Sequence, residues 1–197
     1  MNFKITTKKF NGTIVFLIVI VICFMSCDNS TNKRKEVKSE RDSLVGEKLI
    51  LPQRMLMYQP FSDSNSIDSV RIANSSLKVY SLIDGSCVEC VGSIKNWINF
   101  TKTINVPVIL IIRSADDQFN LFKYVCEEGE FKDFKYPFFL DVKNEFYSLN
   151  RELFANKGIK TAVLTDVNNK ILLFGNPTQS NTIQKDYLDK INSLKSN

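Results

Sequence analysis

From Leu77 onward the chain alternates apolar runs with amphipathic stretches. Leu77-Lys78-Val79-Tyr80-Ser81-Leu82-Ile83 reads as a strand, being rich in β-branched and large apolar side chains. Val91, Ile94, Trp97, Ile98 and Thr101 then recur at the spacing of one helix face. Val106-Pro107-Val108-Ile109-Leu110-Ile111-Ile112 is almost continuously apolar, as in a parallel strand covered on both faces. Phe119, Phe122 and Cys126 mark a second helix, Pro137-Phe138-Phe139-Leu140 a short strand, and Phe146, Leu149 and Leu153 a third helix. Ala162-Val163-Leu164 and Ile171-Leu172-Leu173-Phe174 flank Val167-Asn168-Asn169-Lys170. That spacing predicts a hairpin, because asparagine tolerates the positive φ of a tight turn. Ile183, Tyr187, Ile191 and Leu194 line a final helix. The order β-α-β-α-β-α-β-β-α predicts an α/β domain: a mixed sheet, helices on both faces, and a C-terminal antiparallel hairpin plus helix.

Upstream the pattern weakens. Leu49-Ile50-Leu51 predicts a strand ended by Pro52, and residues 53–76 show apolar side chains without a clear period. Asp28 to Gly46 is polar, with Lys33-Arg34-Lys35 among mixed charges. Such a stretch lacks the apolar residues to build a core and reads as a spacer. Before it, Lys4, Lys8 and Lys9 precede the apolar run Ile14–Met25. The run is too short for a membrane span, which takes about 20 residues, and fits a secretory leader, whose apolar part takes about 7–15.

Phe24-Met25-Ser26-Cys27, with a small residue before the cysteine, resembles the lipobox of bacterial lipoproteins. The resemblance implies acylation of Cys27 and anchoring to a membrane outside the cytoplasm, where disulfides persist. The domain organisation expected is a signal peptide over 1–26, a lipid-anchored tether over 27–46 and a folded domain over 47–197.

The 197 residues, 44% hydrophobic, suffice for one domain with a sizeable core. The net charge of +5 falls to +2 once the leader lysines are set aside. No basic stripe interleaved with aromatics supports nucleic-acid binding. The chain has no histidine, which removes imidazole bases and His-ligated metals. Neither a metal nor a cofactor is implied.

Five cysteines are present: Cys23 and Cys27 near the leader, the pair Cys87-Val88-Glu89-Cys90, and Cys126. The pair follows a strand ending at Ile83 and the turn Asp84-Gly85-Ser86, and opens a helix. A sulfur there faces unsatisfied backbone N–H groups that favour its thiolate. Cys90 lies one turn along and within reach of Cys87. Cys87 is the expected attacking thiol and Cys90 the resolving one, in thiol–disulfide exchange through a mixed disulfide. A structural disulfide is the plainer alternative. A zinc site lacks ligands, since only Cys126 is left to join. Cys126 reads as a core residue beside Phe119 and Phe122, with a third redox thiol as the alternative.

The strand–turn–CxxC–helix unit, the inserted strand and helix from Pro137 to Leu153, and Thr161-Ala162-Val163-Leu164-Thr165-Asp166-Val167-Asn168-Asn169-Lys170 together resemble the thioredoxin-like superfamily. They are most similar to its redoxin branch, which includes membrane-tethered thiol–disulfide oxidoreductases. The resemblance spans about Leu77 to Leu194 and implies protein thiols or disulfides as partners. Three positions depart from it. Ser86 stands where an aromatic residue usually precedes the first cysteine. Ser81 stands where many members bury an acid. Lys160 stands where most place a cis-proline. Asp84, Glu89 and Lys160 are the candidate modulators: a lysine near the sulfurs favours thiolate and a carboxylate opposes it. Two other functions remain on the page. One is a thiol peroxidase, whose family needs a threonine at the place of Asp84. The other is a redox-inactive binding or scaffold lipoprotein on the same fold.

Overall fold

The computed structural model describes residues 43–53, 55–61, 72–154 and 162–195. All of these fall in one compact unit, Arg41–Asn197. The signal peptide, Cys27, most of the tether and Lys160 lie outside the described residues.

Six strands form one sheet: β1 (Leu56–Tyr58), β2 (Leu77–Asp84), β3 (Val108–Arg113), β4 (Phe138–Leu140), β5 (Ala162–Asp166) and β6 (Ile171–Phe174). Their spatial order is β1-β4-β3-β2-β5-β6. The centre is parallel, β2 against β3 and β3 against β4; β1, β5 and β6 pair antiparallel. Residues 77–83 of β2 and 108–112 of β3 are buried without a break. An alternating strand would show one wet face, so both faces of the central sheet are covered. This is the mixed α/β sheet with covered faces that the hydrophobic pattern predicts.

The helices are α1 (Val88–Gly92), α2 (Ile94–Thr101), α3 (Asn120–Glu127), α4 (Glu145–Leu149), α5 (Arg151–Phe154) and α6 (Asn181–Lys195). Two expected helices are each divided. The one after the cysteines breaks at Ser93, whose hydroxyl donates to the Cys90 carbonyl at 2.6 Å. Such back-bonding competes with the helical ladder. The third helix breaks at Asn150, φ −119°. There a buried amide spans 100 residues: Asn150 Oδ1 accepts from the Ile50 N–H at 2.8 Å, and Nδ2 donates to the Ile50 carbonyl at 2.7 Å. The break therefore frees a side chain to hold the N-terminal segment.

That segment is where expectation and structure part. Leu49–Leu51 is not a strand; only Lys48 forms an isolated bridge, to Lys170 of the hairpin turn. Contact with the core begins at Leu44. The Gly46 N–H donates to the Ile171 carbonyl, and the Ile171 N–H donates to the Glu47 carbonyl, both at 2.8 Å. Within 53–76, β1 pairs with β4 although Leu56 and Met57 face outward. The C-terminal hairpin forms as expected, with Asn169 at φ 62°. Asp166 Oδ1 accepts from the Asn168 and Lys170 N–H groups and closes the turn.

Candidate functional site

Strand β2 carries the chain to the edge of the core at Asp84, and a two-residue turn passes it to α1. Gly85 makes that turn possible. A Cβ there would lie 2.8 Å from Ile112 Cγ2 and 3.2 Å from the Arg113 carbonyl, so any other residue must push β3 away. The close approach is fixed by a backbone bond, Gly85 N–H to the Arg113 carbonyl at 2.7 Å.

Cys87 follows as the N-cap of α1, in extended conformation at φ −108° and ψ 116°. It is joined to Cys90 as a disulfide, with their Cα atoms 5.1 Å apart. Cys87 Sγ also accepts from the Cys90 N–H at 3.3 Å. The expected helix N-terminus is there, though α1 ends at Gly92, and the donor it aims at the sulfur is the Cys90 amide, a local donor that favours the charged form. Both cysteines are half-buried, while Val88 (73% exposed) and Glu89 between them face solvent.

Two cavities are lined in part by α1, and Cys90 lines one of them. The first, of about 410 Å³, is lined by Ile83, Cys90, Ser93, Asn96, Asn176 and Gln179. The second, of about 380 Å³, is more apolar and runs between Val88 and Val91 of α1 and Leu121, Tyr124 and Val125 of α3.

The candidate modulators divide. Asp84 lies under the turn: Oδ1 accepts from the Ser86 N–H at 2.9 Å, and Oδ2 lies 3.5 Å from Arg113 Nη2. Glu89 is solvent-facing on α1. Lys160 is outside the described residues.

Sequence reasoning missed the residues that grip the turn from β3. Arg113 caps its strand and packs over the Tyr147 ring of α4 at 4.6 Å. Ser86 and Ser114 hydroxyls lie 2.9 Å apart, and the Ala115 N–H donates to Ser86 Oγ at 2.6 Å. Ser86 thus binds the turn to the loop after β3. One signal was available. A charged residue ends the apolar run Val108–Ile112, and the carboxyl ends of parallel strands are where such folds place ligands and chemistry.

Ser81 is fully buried in β2, opposite Leu110 of β3 and Ala162 of β5. Cys126 is fully buried on α3. Desolvation, with help from Glu127, pushes its thiol up to about 12. The structure thus places it as a core side chain, away from exchange chemistry.

No family model matches the sequence, and no curated protein sequence matches it. Solved structures do share its chain path. AhpC from Mycobacterium bovis superposes with a TM-score of 0.50 at 16% identity, covering 77% of this chain and 97% of that one. A thiol-disulfide isomerase from Corynebacterium glutamicum gives 0.47 at 16%, covering 74% and 96%. The exposed lipoprotein thioredoxin of Streptococcus pneumoniae gives 0.43 at 13%, covering 58% and 84%. At such identities the likeness is one of fold alone, and the sheet order and pairing described above, with the superposition at 0.50, make this a thioredoxin-like fold with a CxxC disulfide just after its second strand.

Proposed function

We propose that the protein is an extracytoplasmic thiol–disulfide oxidoreductase acting on protein thiols or disulfides. The observation that carries this reading is the half-buried Cys87 sulfur, bonded to Cys90 and facing the Cys90 amide. In the reduced protein the Cys87 thiolate attacks a partner disulfide. A Cys87–partner bond forms, and the partner's other sulfur leaves as thiolate and takes up a proton. Cys90 then loses its proton and attacks Cys87, releasing the partner's second thiol. Two electrons pass to the partner, and the Cys87–Cys90 disulfide is left behind. Run backwards, the same steps oxidise a dithiol.

Insulin reduction by the full chain with dithiothreitol is the direct test. The wild type accelerates precipitation of the insulin B chain and Cys87→Ser does not. Equal rates for the two would overturn the reading and leave a binding module on this fold. The address is part of the proposal and rests on the Phe24-Met25-Ser26-Cys27 run. Mass analysis of the N-terminal peptide from producing cells should find Cys27 acylated and residues 1–26 gone. An intact leader would refute anchoring without touching the chemistry.

A further inference from the structure

The turn that presents Cys87 carries a carboxylate in an unhelpful place. Asp84 lies three residues before the sulfur, and its own carbonyl accepts the Cys87 N–H at 3.3 Å. A negative charge on the turn that carries the sulfur opposes formation of a thiolate. Yet the carboxylate has structural work, since Oδ1 accepts the Ser86 N–H and shapes the turn.

We propose that Arg113 is a positioning residue for the exchange reaction, one that neutralises Asp84 toward Cys87 while holding the turn in place. The inference rests on the oxidoreductase reading above. Asp84 and Arg113 are register partners at the ends of the parallel strands β2 and β3, so the sheet itself sets them side by side. Arg113 Nη2 lies 3.5 Å from Asp84 Oδ2, both side chains being largely buried, 27% and 18% exposed. Partial burial lessens solvent screening of the pair. The guanidinium is held from its other side by the Tyr147 ring at 4.6 Å, a contact that leaves its charge intact while limiting its motion. Tyr147 is fixed in turn, its N–H donating to Asp141 Oδ2 at 3.2 Å.

Arg113 thus reaches the sulfur through Asp84, and α4 reaches it through Arg113. Among the described residues, the other charged groups on the elements packed around the turn are Glu89 on α1, Lys95 on α2, Asp116 and Asp117 after β3, Lys123 and Glu127 on α3, Asp141 after β4 and Glu145 on α4. Glu89 is solvent-facing, and Asp116 Oδ1 accepts from the Gln118 and Asn120 N–H groups of its own loop.

The test is the rate of iodoacetamide alkylation of Cys87 against pH, in the reduced full chain carrying Cys90→Ser. Arg113→Ala should move the profile to higher pH, slowing alkylation at pH 6.5 by about threefold to tenfold, the size of an uncompensated neighbouring carboxylate. Adding Asp84→Asn to Arg113→Ala should return the rate to within about twofold of the parent, because the charge to be compensated is gone. Arg113→Lys, which keeps the charge, should shift the profile less than Arg113→Ala. An unmoved profile in Arg113→Ala overturns the proposal. So does a slowed rate that Asp84→Asn does not restore, since Arg113 would then act through the loop's shape alone. The difference between variants is read whatever the parent's absolute value. A parent thiol titrating near 8.5 would count against the oxidoreductase reading and not against this one.

Discussion

Cys87 and Cys126 lie on elements that pack against each other, α1 and α3, and are made into opposite things by their surroundings. Cys87 is at a cap, half in solvent, with an amide aimed at its sulfur. Cys126 is sealed under the apolar face that α3 turns to the sheet, shared with Phe122, and its thiol is driven up to about 12. The residue type is the same, and the two helices are neighbours. What differs is whether water and backbone donors reach the sulfur, which is what decides whether a cysteine is a nucleophile or a small hydrophobe.

The largest effect expected from this contrast is in labelling. At pH 7 a thiol titrating at about 12 holds about one thiolate in 10⁵. In the reduced native protein, iodoacetamide should modify Cys87 and leave Cys126 unmodified until denaturant is added. Native labelling of Cys126 at a rate comparable with Cys87 would erase the distinction.

A smaller effect tests the seam between the regions. The Cβ of Gly85→Ala would crowd Ile112 and the Arg113 carbonyl while only touching Phe122 Cβ at 3.4 Å, so the turn and β3 must shift apart. Overpacking of this kind costs about 1–3 kcal/mol, read as a lowered urea midpoint. Unchanged stability would mean that the turn is held less tightly than its backbone bond to Arg113 implies.

The last effect, spread over several pH units, is in alkaline stability. Cys126 has a folded-state pKa raised from 9.0 to about 12, so the folded state keeps a proton that the unfolded chain loses. Its contribution is whole below pH 9 and is lost as pH rises toward 12, at up to about 1.4 kcal/mol per pH unit. Burial also raises the hydroxyls of Tyr80 and Tyr136, which add to the same loss. Cys126→Ala should therefore flatten the fall of unfolding free energy between pH 9 and 12 without abolishing it. A slope identical to the parent's would show that the thiol's burial has no energetic weight.

The same contrast separates what the sequence made legible from what it hid. The CxxC at a strand–turn–helix junction, the apolar strand Val108–Ile112 and the Asn169 turn are local signals, and each appears where the pattern puts it. The breaks at Ser93 and Asn150 are not announced by periodicity, because both residues are tolerated in helices and act through side-chain bonds made after folding. Strand β1 was illegible because Leu56 and Met57 are exposed, so its residues do not alternate between core and water as a half-buried strand does. The Asp84–Arg113–Tyr147 chain was hidden for another reason. Its members are 29 and 34 residues apart; the strand register sets Asp84 beside Arg113, and the packing of α4 brings Tyr147 to Arg113.

The N-terminal strip that reaches β6 also settles how the sheet ends. An uncovered outer strand offers unpaired N–H and C=O groups to any passing chain and invites aggregation. On the β6 side, residues 46–49 take up those groups at Asn169 and Ile171, so the approach to the domain doubles as a cover for its edge. On the far side β1 offers only three residues, too short a template to recruit a neighbour securely. A protein held at high local density on a surface would gain from both devices, since each keeps neighbouring copies from zipping together through their sheets.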